Sequence, residues 1–183
     1  MGASKQLLEL GGKPLIALAV DAALGSQARP VVVVIGADAE RVREAISGRP
    51  VCVVLNPEWS SGLSSSIRVG MAALLAAEPA LDAALLALCD QPALSPEVIG
   101  RLAALHRATG RIAASRYGGR NGAPAVFGRR HFAALEALTG DEGARGILNG
   151  DPGCVVAADL PEMGFDMDTP ADCRDWARRH LTS

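Results

Sequence analysis

The sequence predicts an α/β fold with a doubly wound, mostly parallel sheet. Apolar runs without polar alternation, typical of strands covered on both faces, occupy residues 31–35, 51–55, 83–89, 112–115 and 154–158. Helical patterns separate these runs, and this alternation is the arrangement that builds parallel sheets. The chain has 183 residues, 49% of them hydrophobic, which is enough to bury one full core. We therefore expect a single domain spanning residues 1–183.

Helix starts can be recognised in chain order from capping residues and prolines. The signals are Pro14, Asp38 before AERVREAI, Ser64 before SSIRVGMAALLA, Ser95 with Pro96, and Thr169 with Pro170. The glycine-rich stretch 118–128 is predicted to be a loop or hairpin inside the domain. Ligands of open parallel sheets collect beyond the carboxyl ends of the strands, so polar residues that follow the apolar runs are the first candidates for a site.

Charge and composition argue against several classes of partner. The net charge is −2, aromatic residues make up only 3%, and no basic stripe is present, which argues against nucleic acid as the partner. No apolar run approaches the ~20 residues that a membrane-spanning helix needs, and no signal peptide is visible. We expect a cytoplasmic protein that binds a small phosphorylated molecule.

The first segment, MGASKQLLELGGKPL, holds both lysines of a chain that has 18 lysines and arginines together. An ammonium group is a compact charge on a flexible stem, which suits a moving phosphate better than a planar guanidinium does. Lys5 is therefore a candidate phosphate ligand, although a solvated position in a first loop also explains it. Lys13 lies beside Gly12 and Pro14 and is better explained by an ordinary turn.

Candidate metal-binding carboxylates occur at two places in the sequence, after a predicted strand and before the last predicted helix. Asp90 comes directly after the strand AALLALC, where a rigid element would hold it in the ligand crevice. In FDMDTPAD, an extended backbone would place Asp166 and Asp168 on one side, before a helix that begins at Thr169. Mg²⁺ commonly takes one or two protein carboxylates together with phosphate oxygens, so these residues could form a magnesium–nucleotide site. The alternatives are a turn at Asp90 and a helix cap with a solvated Asp166.

A third polar segment, NPEWSSGLSSSIRVG, follows the strand at 51–55. Asn56 leaves the strand, and Gly62 permits a close approach of the backbone. Ser65 and Ser66 lie at the start of a helix, whose free N–H groups favour anions. Serine-rich helix starts are also common where no ligand binds.

These segments, in this order, resemble the nucleotidyltransferases of the molybdenum cofactor cytidylyltransferase type, the MobA-like and MocA-like group. The resemblance covers the whole chain and is carried by MGASKQLLELGGKPL, NPEWSSGLSSSIRVGM, CDQP, GAPAVFGRRHF with GDEGARGIL, and FDMDTPAD. It implies a GT-A-like Rossmann nucleotidyltransferase fold. The family's apolar first strand and its glycine-rich LAAGxSxR loop have no counterpart here, so the resemblance also implies that the fold lacks its first strand and that this form is a weak catalyst.

The resemblance also implies roles for individual residues. Lys5 would be the catalytic residue that holds the triphosphate, and Asp90, Asp166 and Asp168 would bind Mg²⁺. The nucleotide would contact four residues in the third segment, namely Asn56, Gly62, Ser65 and Ser66. The acceptor side would include Gly122, Asp141 and Arg145, where Ala123 replaces the histidine of the family's GHP form.

The implied reaction is transfer of CMP from CTP to molybdopterin with release of pyrophosphate, and the implied partners are CTP or GTP and a molybdopterin-type acceptor. A molybdoenzyme client or its chaperone would receive the product.

Two alternatives stay open. One is a nucleotidyltransferase for another phosphorylated acceptor, such as a sugar or polyol phosphate. The other is a non-catalytic partner in cofactor binding or maturation, which the missing loop favours and the retained Lys5, Asp90 and Asp168 oppose.

Overall fold

The computed structural model describes residues 4–180. The first three residues of the segment MGASKQLLELGGKPL lie outside this range. The strands are β1 Glu9–Leu10, β2 Lys13–Pro14, β3 Val32–Ile35, β4 Cys52–Leu55, β5 Ala83–Leu86, β6 Ile112–Tyr117, β7 Arg120–Gly128 and β8 Val155–Asp159. The helices are α1 Leu15–Gly25, α2 Ala39–Ala45, α3 Leu63–Ala77, α4 Pro96–Thr109, α5 Phe132–Glu136, α6 Arg145–Gly150 and α7 Pro170–His180.

The principal strands are mainly parallel, as the sequence predicts. Strands β3 and β4 form a parallel pair, and β5, β7, β6 and β8 form a four-stranded sheet in that order. Strand β7 runs antiparallel to both β5 and β6, and β6 runs parallel to β8, so β5, β6 and β8 share one direction. The carboxyl ends of these three strands therefore lie at one edge of the sheet.

Two helices join the two groups of strands. On α1, Ile16 and Val20 pack into the cluster that contains Val33 of β3, whereas Ala22 packs into a cluster with Ala113 of β6. Helix α3 does the same, because Ile67 and Met71 share a core cluster with residues of β5 and β6, while a Cβ at Gly70 would lie 3.1 Å from Val34. Within residues 4–180, β3 and β5 each pair with another strand on one edge only.

The predicted helix starts are correct to within two residues. Ser95 accepts a hydrogen bond from the Val98 N–H at 3.3 Å, so it caps α4 as expected. Thr169 and Asp172 exchange hydrogen bonds at the start of α7, an arrangement that satisfies two free backbone N–H groups. Helix α3 begins at Leu63, and Gly62 stands before it where the prediction had Ser64, so this helix starts two residues earlier than predicted. None of the helices within residues 4–180 is long and apolar enough to cross a membrane.

One strand prediction needs correction, and the prediction for residues 118–128 is resolved in favour of the hairpin. The run 83–89 is a strand only over Ala83–Leu86, because its partner β7 pairs with those four residues and no further. The stretch 118–128 is the hairpin alternative, with Gly118 and Gly119 at positive φ in the turn and a nine-residue strand after it. Lys13 is the first residue of β2 and directly follows the turn at Gly11 and Gly12, both at positive φ, so it belongs to the tight hairpin between β1 and β2.

Candidate active site

Lys5 lies between two of the predicted metal ligands. Its Nζ donates to Asp90 Oδ2 at 2.5 Å and to Asp168 Oδ1 at 3.4 Å. The three side chains come from separate parts of the chain: a short 3-10 helix at Lys5–Leu7, the loop after β5, and the residues that precede α7. The fold thus brings together the three residues that the sequence marks most strongly for phosphate and metal chemistry.

The electrostatics of this cluster favour the charged form of the lysine. Burial lowers the pKa of Lys5, but the hydrogen bond and charge of Asp90, with smaller contributions from Asp168, outweigh it and raise the pKa above its usual value. The exposed fractions of the side chains are 44% for Lys5, 9% for Asp90 and 68% for Asp168. Asp90 is therefore the buried anion of the cluster, and Lys5 is the cation that compensates it.

Asp90 is fixed by its backbone and has one oxygen without a protein partner. Its carbonyl oxygen accepts from the Met167 N–H at 2.8 Å, which ties the loop after β5 to the FDMDTPAD segment. The buried Oδ1 of Asp90 has no hydrogen-bond partner. Buried polar atoms are seldom left unsatisfied, and those that are often face a missing water, ion or ligand. Burial, followed by the charge of Asp90, raises the pKa of the neighbouring Cys89 thiol to about 12.

Asp166 belongs to the same charged environment. It and Asp168 are exposed while Met167 between them is buried, so the two carboxylates lie on one side of the segment as predicted. Desolvation of the carboxyl group, the largest cause, and the negative charge of Asp90 raise the pKa of Asp166, and Lys5 partly counteracts them. Asp166 therefore experiences the charges of Asp90 and Lys5.

The donor set suits a hard cation that completes its shell with other oxygens. Across residues 4–180, no cluster of three or more His, Cys, Asp or Glu side chains forms a ready metal site. The oxygens that meet Lys5 belong to two carboxylates, Asp90 and Asp168, and one further oxygen of Asp90 is unsatisfied. Two carboxylates plus substrate phosphates is the usual protein contribution to Mg²⁺, so these residues fit a magnesium–nucleotide complex.

The predicted nucleotide-contacting residues form a second hydrogen-bonded group. Asn56 is 1% exposed and donates to Ser65 Oγ at 2.8 Å and to Ser66 Oγ at 3.0 Å. Its Oδ1 accepts from the Glu58 N–H at 2.9 Å. Asn56 and Ser65 therefore order the turn between β4 and α3, and their contact with a nucleotide stays a prediction.

Gly62 and Asp141 meet at the start of α3. Gly62 has φ 108°, and a Cβ there would lie 2.6 Å from the carbonyl oxygen of Gly140. Asp141 Oδ1 accepts from the Leu63 N–H at 3.3 Å, and Gly140 O accepts from the Ser64 N–H at 3.3 Å. Gly62 is thus explained by backbone geometry, and the Asp141 carboxylate binds a helix N-terminus; the nucleotide and acceptor roles expected of them stay predictions.

The other acceptor-side residues lie near Tyr117. Gly122 is in β7, and a Cβ on it would come within 2.1 Å of the Tyr117 hydroxyl oxygen. Burial raises the pKa of Tyr117; the hydrogen bond from Gln91 lowers it, Asp166 raises it and Arg145 lowers it. Arg145, the first residue of α6, also lowers the pKa of Asp166. Arg145 therefore lies near Asp166 of the carboxylate group, and Gly122 packs against Tyr117.

Gln91 connects these parts, although no role was predicted for it from the sequence. It is 2% exposed, and its Nε2 donates to Met163 O at 2.9 Å, to Ala123 O at 3.1 Å and to Tyr117 Oη at 3.3 Å. These acceptors lie before the Asp166 segment, beside Gly122, and at the end of β6. The available signal was a polar residue that directly follows a candidate metal ligand at the end of a buried strand.

Comparison with known families identifies the domain type. The family model described as "MobA-like NTP transferase domain" matches residues 1–162 of this chain. The curated relative "Nicotine blue oxidoreductase" of Paenarthrobacter nicotinovorans is 35% identical over 176 residues, which are 90% of this chain and 83% of that protein.

Solved structures agree with this domain type. A nucleotidyl transferase from Methanothermobacter thermautotroptrophicus superposes with a TM-score of 0.78 at 26% identity, covering 97% of this chain and 85% of that one. The Mycobacterium tuberculosis protein Rv0371c in complex with manganese gives a TM-score of 0.76 at 27% identity, covering 93% and 89%.

Proposed function

The chain belongs to the family of MobA-like NTP transferase domains, and on that premise we propose that it transfers CMP from CTP to a molybdopterin-type acceptor and releases pyrophosphate. The cluster of Lys5, Asp90 and Asp168 at the carboxyl end of β5 carries this proposal, because it combines a mobile cation with carboxylates suited to Mg²⁺. A molybdoenzyme or its chaperone would receive the dinucleotide product.

The residues divide the work of phosphoryl transfer. An oxygen of the acceptor's terminal phosphate attacks the α-phosphorus of CTP, a new P–O bond forms, and the bond to the bridging α–β oxygen breaks as pyrophosphate leaves. Asp90 and Asp168, with Asp166 nearby, would hold Mg²⁺, and Lys5 would bind the triphosphate. Mg²⁺ bound there would supply positive charge to the phosphate oxygens as negative charge develops on the leaving group. The protein's task is then positioning and electrostatic stabilisation.

The acceptor side supplies a second cation. Arg145 lies close enough to Asp166 and Tyr117 to affect the pKa of both. A guanidinium can bind two phosphate oxygens at once, so Arg145 is suited to hold the acceptor phosphate beside the carboxylates. Gly122 leaves room for the Tyr117 ring, which with Gln91 supports this side of the site. Gly62, Asn56, Ser65 and Ser66 would contact the nucleotide through the turn before α3.

The names of related proteins support the nucleotidyl transfer and the divalent cation of this proposal. The Methanothermobacter relative is described as a nucleotidyl transferase, and Rv0371c is described in complex with manganese, a divalent cation. We extend both properties to this chain as parts of the proposal, with Mg²⁺ as the expected ion.

The test is pyrophosphate release from CTP or GTP in the presence of molybdopterin, with and without Mg²⁺. We expect release that requires Mg²⁺ and the acceptor and that is faster with CTP. Activity only with a sugar or polyol phosphate would favour the second enzyme hypothesis. Binding of molybdopterin without turnover of either nucleotide would favour a non-catalytic role in cofactor maturation.

A second candidate function comes from the 35% identity to nicotine blue oxidoreductase over 90% of this chain. The same fold would then bind a reducing dinucleotide in place of CTP and reduce nicotine blue. Incubation with nicotine blue and NADH or NADPH, followed by the absorbance of the dye and of the nucleotide, tests this directly. Loss of both absorbances, together with no pyrophosphate release from CTP, would replace the transferase proposal.

A further inference from the structure

The Lys5 ammonium contacts the same oxygens that a divalent cation would need. Its Nζ contacts Oδ2 of Asp90 at 2.5 Å and Oδ1 of Asp168 at 3.4 Å. Both carboxylates are the proposed metal ligands. The lysine and the metal therefore compete for the same oxygens.

A compensating cation is needed because Asp90 is buried. Its side chain is 9% exposed, and a buried ionised carboxylate is costly unless it is paired. Lys5 pairs with Oδ2 but leaves Oδ1 of Asp90 without a partner. The lysine therefore satisfies only part of this carboxylate, and a cation that binds several oxygens would satisfy more.

The position of Lys5 allows its ammonium to move while its backbone stays in place. Lys5 O accepts from the Leu8 N–H at 3.1 Å, and Ser4 O accepts from the Leu7 N–H at 2.9 Å, so the short 3-10 helix is held by its own hydrogen bonds. The Lys5 side chain is 44% exposed, and its four-carbon stem is flexible. Release from Asp90 therefore requires rotation of a side chain and no rearrangement of the fold.

We propose that Lys5 is an internal substitute for the divalent cation: it neutralises Asp90 and Asp168 when no metal is bound, and arrival of the metal releases it to bind the triphosphate. This inference rests on the proposed function and adds an order of events to it. The metal replaces the lysine on the carboxylates, so Lys5 becomes available to bind phosphate only when the metal is present.

The chain offers a direct measurement because its only lysines are Lys5 and Lys13. Protein labelled with ¹³C-lysine should give two side-chain Cε signals, assigned with the variant Lys13→Ala. Asp90→Asn, without any ligand, should move the Lys5 signal toward that of a free lysine. Mg²⁺ with CTP should also move it from its resting position, whereas CTP alone should not. Lys13 pairs with Asp21 at 3.3 Å, so its signal should stay unchanged throughout and serves as the internal control.

A binding measurement completes the test. In the absence of nucleotide, Lys5→Ala should bind Mn²⁺ about tenfold more tightly than the unmodified chain, the scale of a lost charged hydrogen bond. Lys13→Ala should bind Mn²⁺ like the unmodified chain. Equal Mn²⁺ affinity in Lys5→Ala, or a Lys5 signal that stays at rest while calorimetry shows Mg²⁺–CTP bound, would overturn the exchange and leave the metal site intact. Absence of any Mn²⁺ or Mg²⁺–CTP binding would instead overturn the proposed function itself.

Discussion

Replacement of Asp90 by Asn separates the chemical role of this carboxylate from its structural role. The two side chains are nearly isosteric, and the backbone carbonyl that binds the Met167 N–H is unchanged by the substitution. The variant loses the negative charge that Lys5 contacts at 2.5 Å and that the proposed metal requires. The fold should therefore persist while the chemistry fails.

The structure sets the expected sizes of the two effects. Lys5 is 44% exposed, so solvent screening limits the loss of its ion pair with Asp90 to about 1 kcal/mol of folding free energy. Removal of a buried charge with an unsatisfied Oδ1 works in the opposite direction. We therefore expect the free energy of unfolding to change by no more than about 1 kcal/mol. Turnover should fall at least ~10²-fold, or about 2.7 kcal/mol, as when one preorganised electrostatic contact is removed.

The assay is pyrophosphate release from CTP and molybdopterin at equal concentrations of folded protein, with urea unfolding of the same samples. Asp82→Asn is a matched control, because Asp82 is an exposed carboxylate directly before the other end of β5. The control should retain both turnover and stability. Unchanged turnover in Asp90→Asn would mean that Asp90 is only a turn residue, and the metal assignment would be wrong.

Three further predictions concern the stability of the fold. Gly62→Ala should lower the free energy of unfolding in urea by about 2 kcal/mol or more, because φ is 108° and the new Cβ would lie 2.6 Å from a backbone oxygen. The control Gly100→Ala, on the exposed side of α4, should raise the free energy of unfolding by about 0.5 to 1 kcal/mol in the same measurement. Gln91→Leu should lower the free energy of unfolding, measured by thermal unfolding, by about 2 to 3 kcal/mol, because the variant lacks the donor to two backbone carbonyls. A loss well below this would show that water replaces the side-chain amide. Arg49→Gln should cost about 1 kcal/mol at pH 7, because Arg49 binds both oxygens of Asp21. The hydrogen bond from Arg49 is the main cause that lowers the pKa of Asp21 below 3.8. The stabilisation by this pair is therefore present above pH 3.8 and is lost as the pH falls through the pKa of the folded state. A stability difference between the variant and the unmodified chain that persists in acid would contradict the assignment.

The core of the candidate site could be predicted from sequence because its residues follow local rules. A pair of carboxylates two residues apart has positions that the backbone period determines. Asp90 lies in the loop four residues after β5 ends at Leu86, beyond the carboxyl end of that strand, where ligands of such sheets collect. The structure accordingly brings Asp90 and Asp168 to Lys5. The contact partner of the lysine was not predictable, since a flexible side chain meets whichever charge the tertiary fold provides.

The features that sequence reasoning missed depend on long-range contacts. Strand β7, RNGAPAVFG, contains glycine and proline, which have low strand propensity, and its pairing with β5 and β6 overrides this local preference. Gln91 has acceptors 26, 32 and 72 residues away in the chain, so no local pattern marks it. Asp141 looks like part of an acceptor motif, yet its carboxylate binds the start of α3 across 78 residues.

The charges of the site oppose folding unless a cation accompanies them. Partial desolvation and the charge of Asp90 raise the pKa of Asp166. A carboxyl group with a raised pKa favours the folded state in acid, and this contribution is lost as the pH rises through the folded pKa, so the ionised Asp166 opposes folding at neutral pH. Lys5 partly reverses this, because its charge lowers the pKa of Asp166 and it pairs with Asp90 and Asp168. Lys5 therefore has a structural role independent of catalysis, because it compensates the two carboxylates that it contacts, Asp90 and Asp168, and lowers the pKa of the neighbouring Asp166.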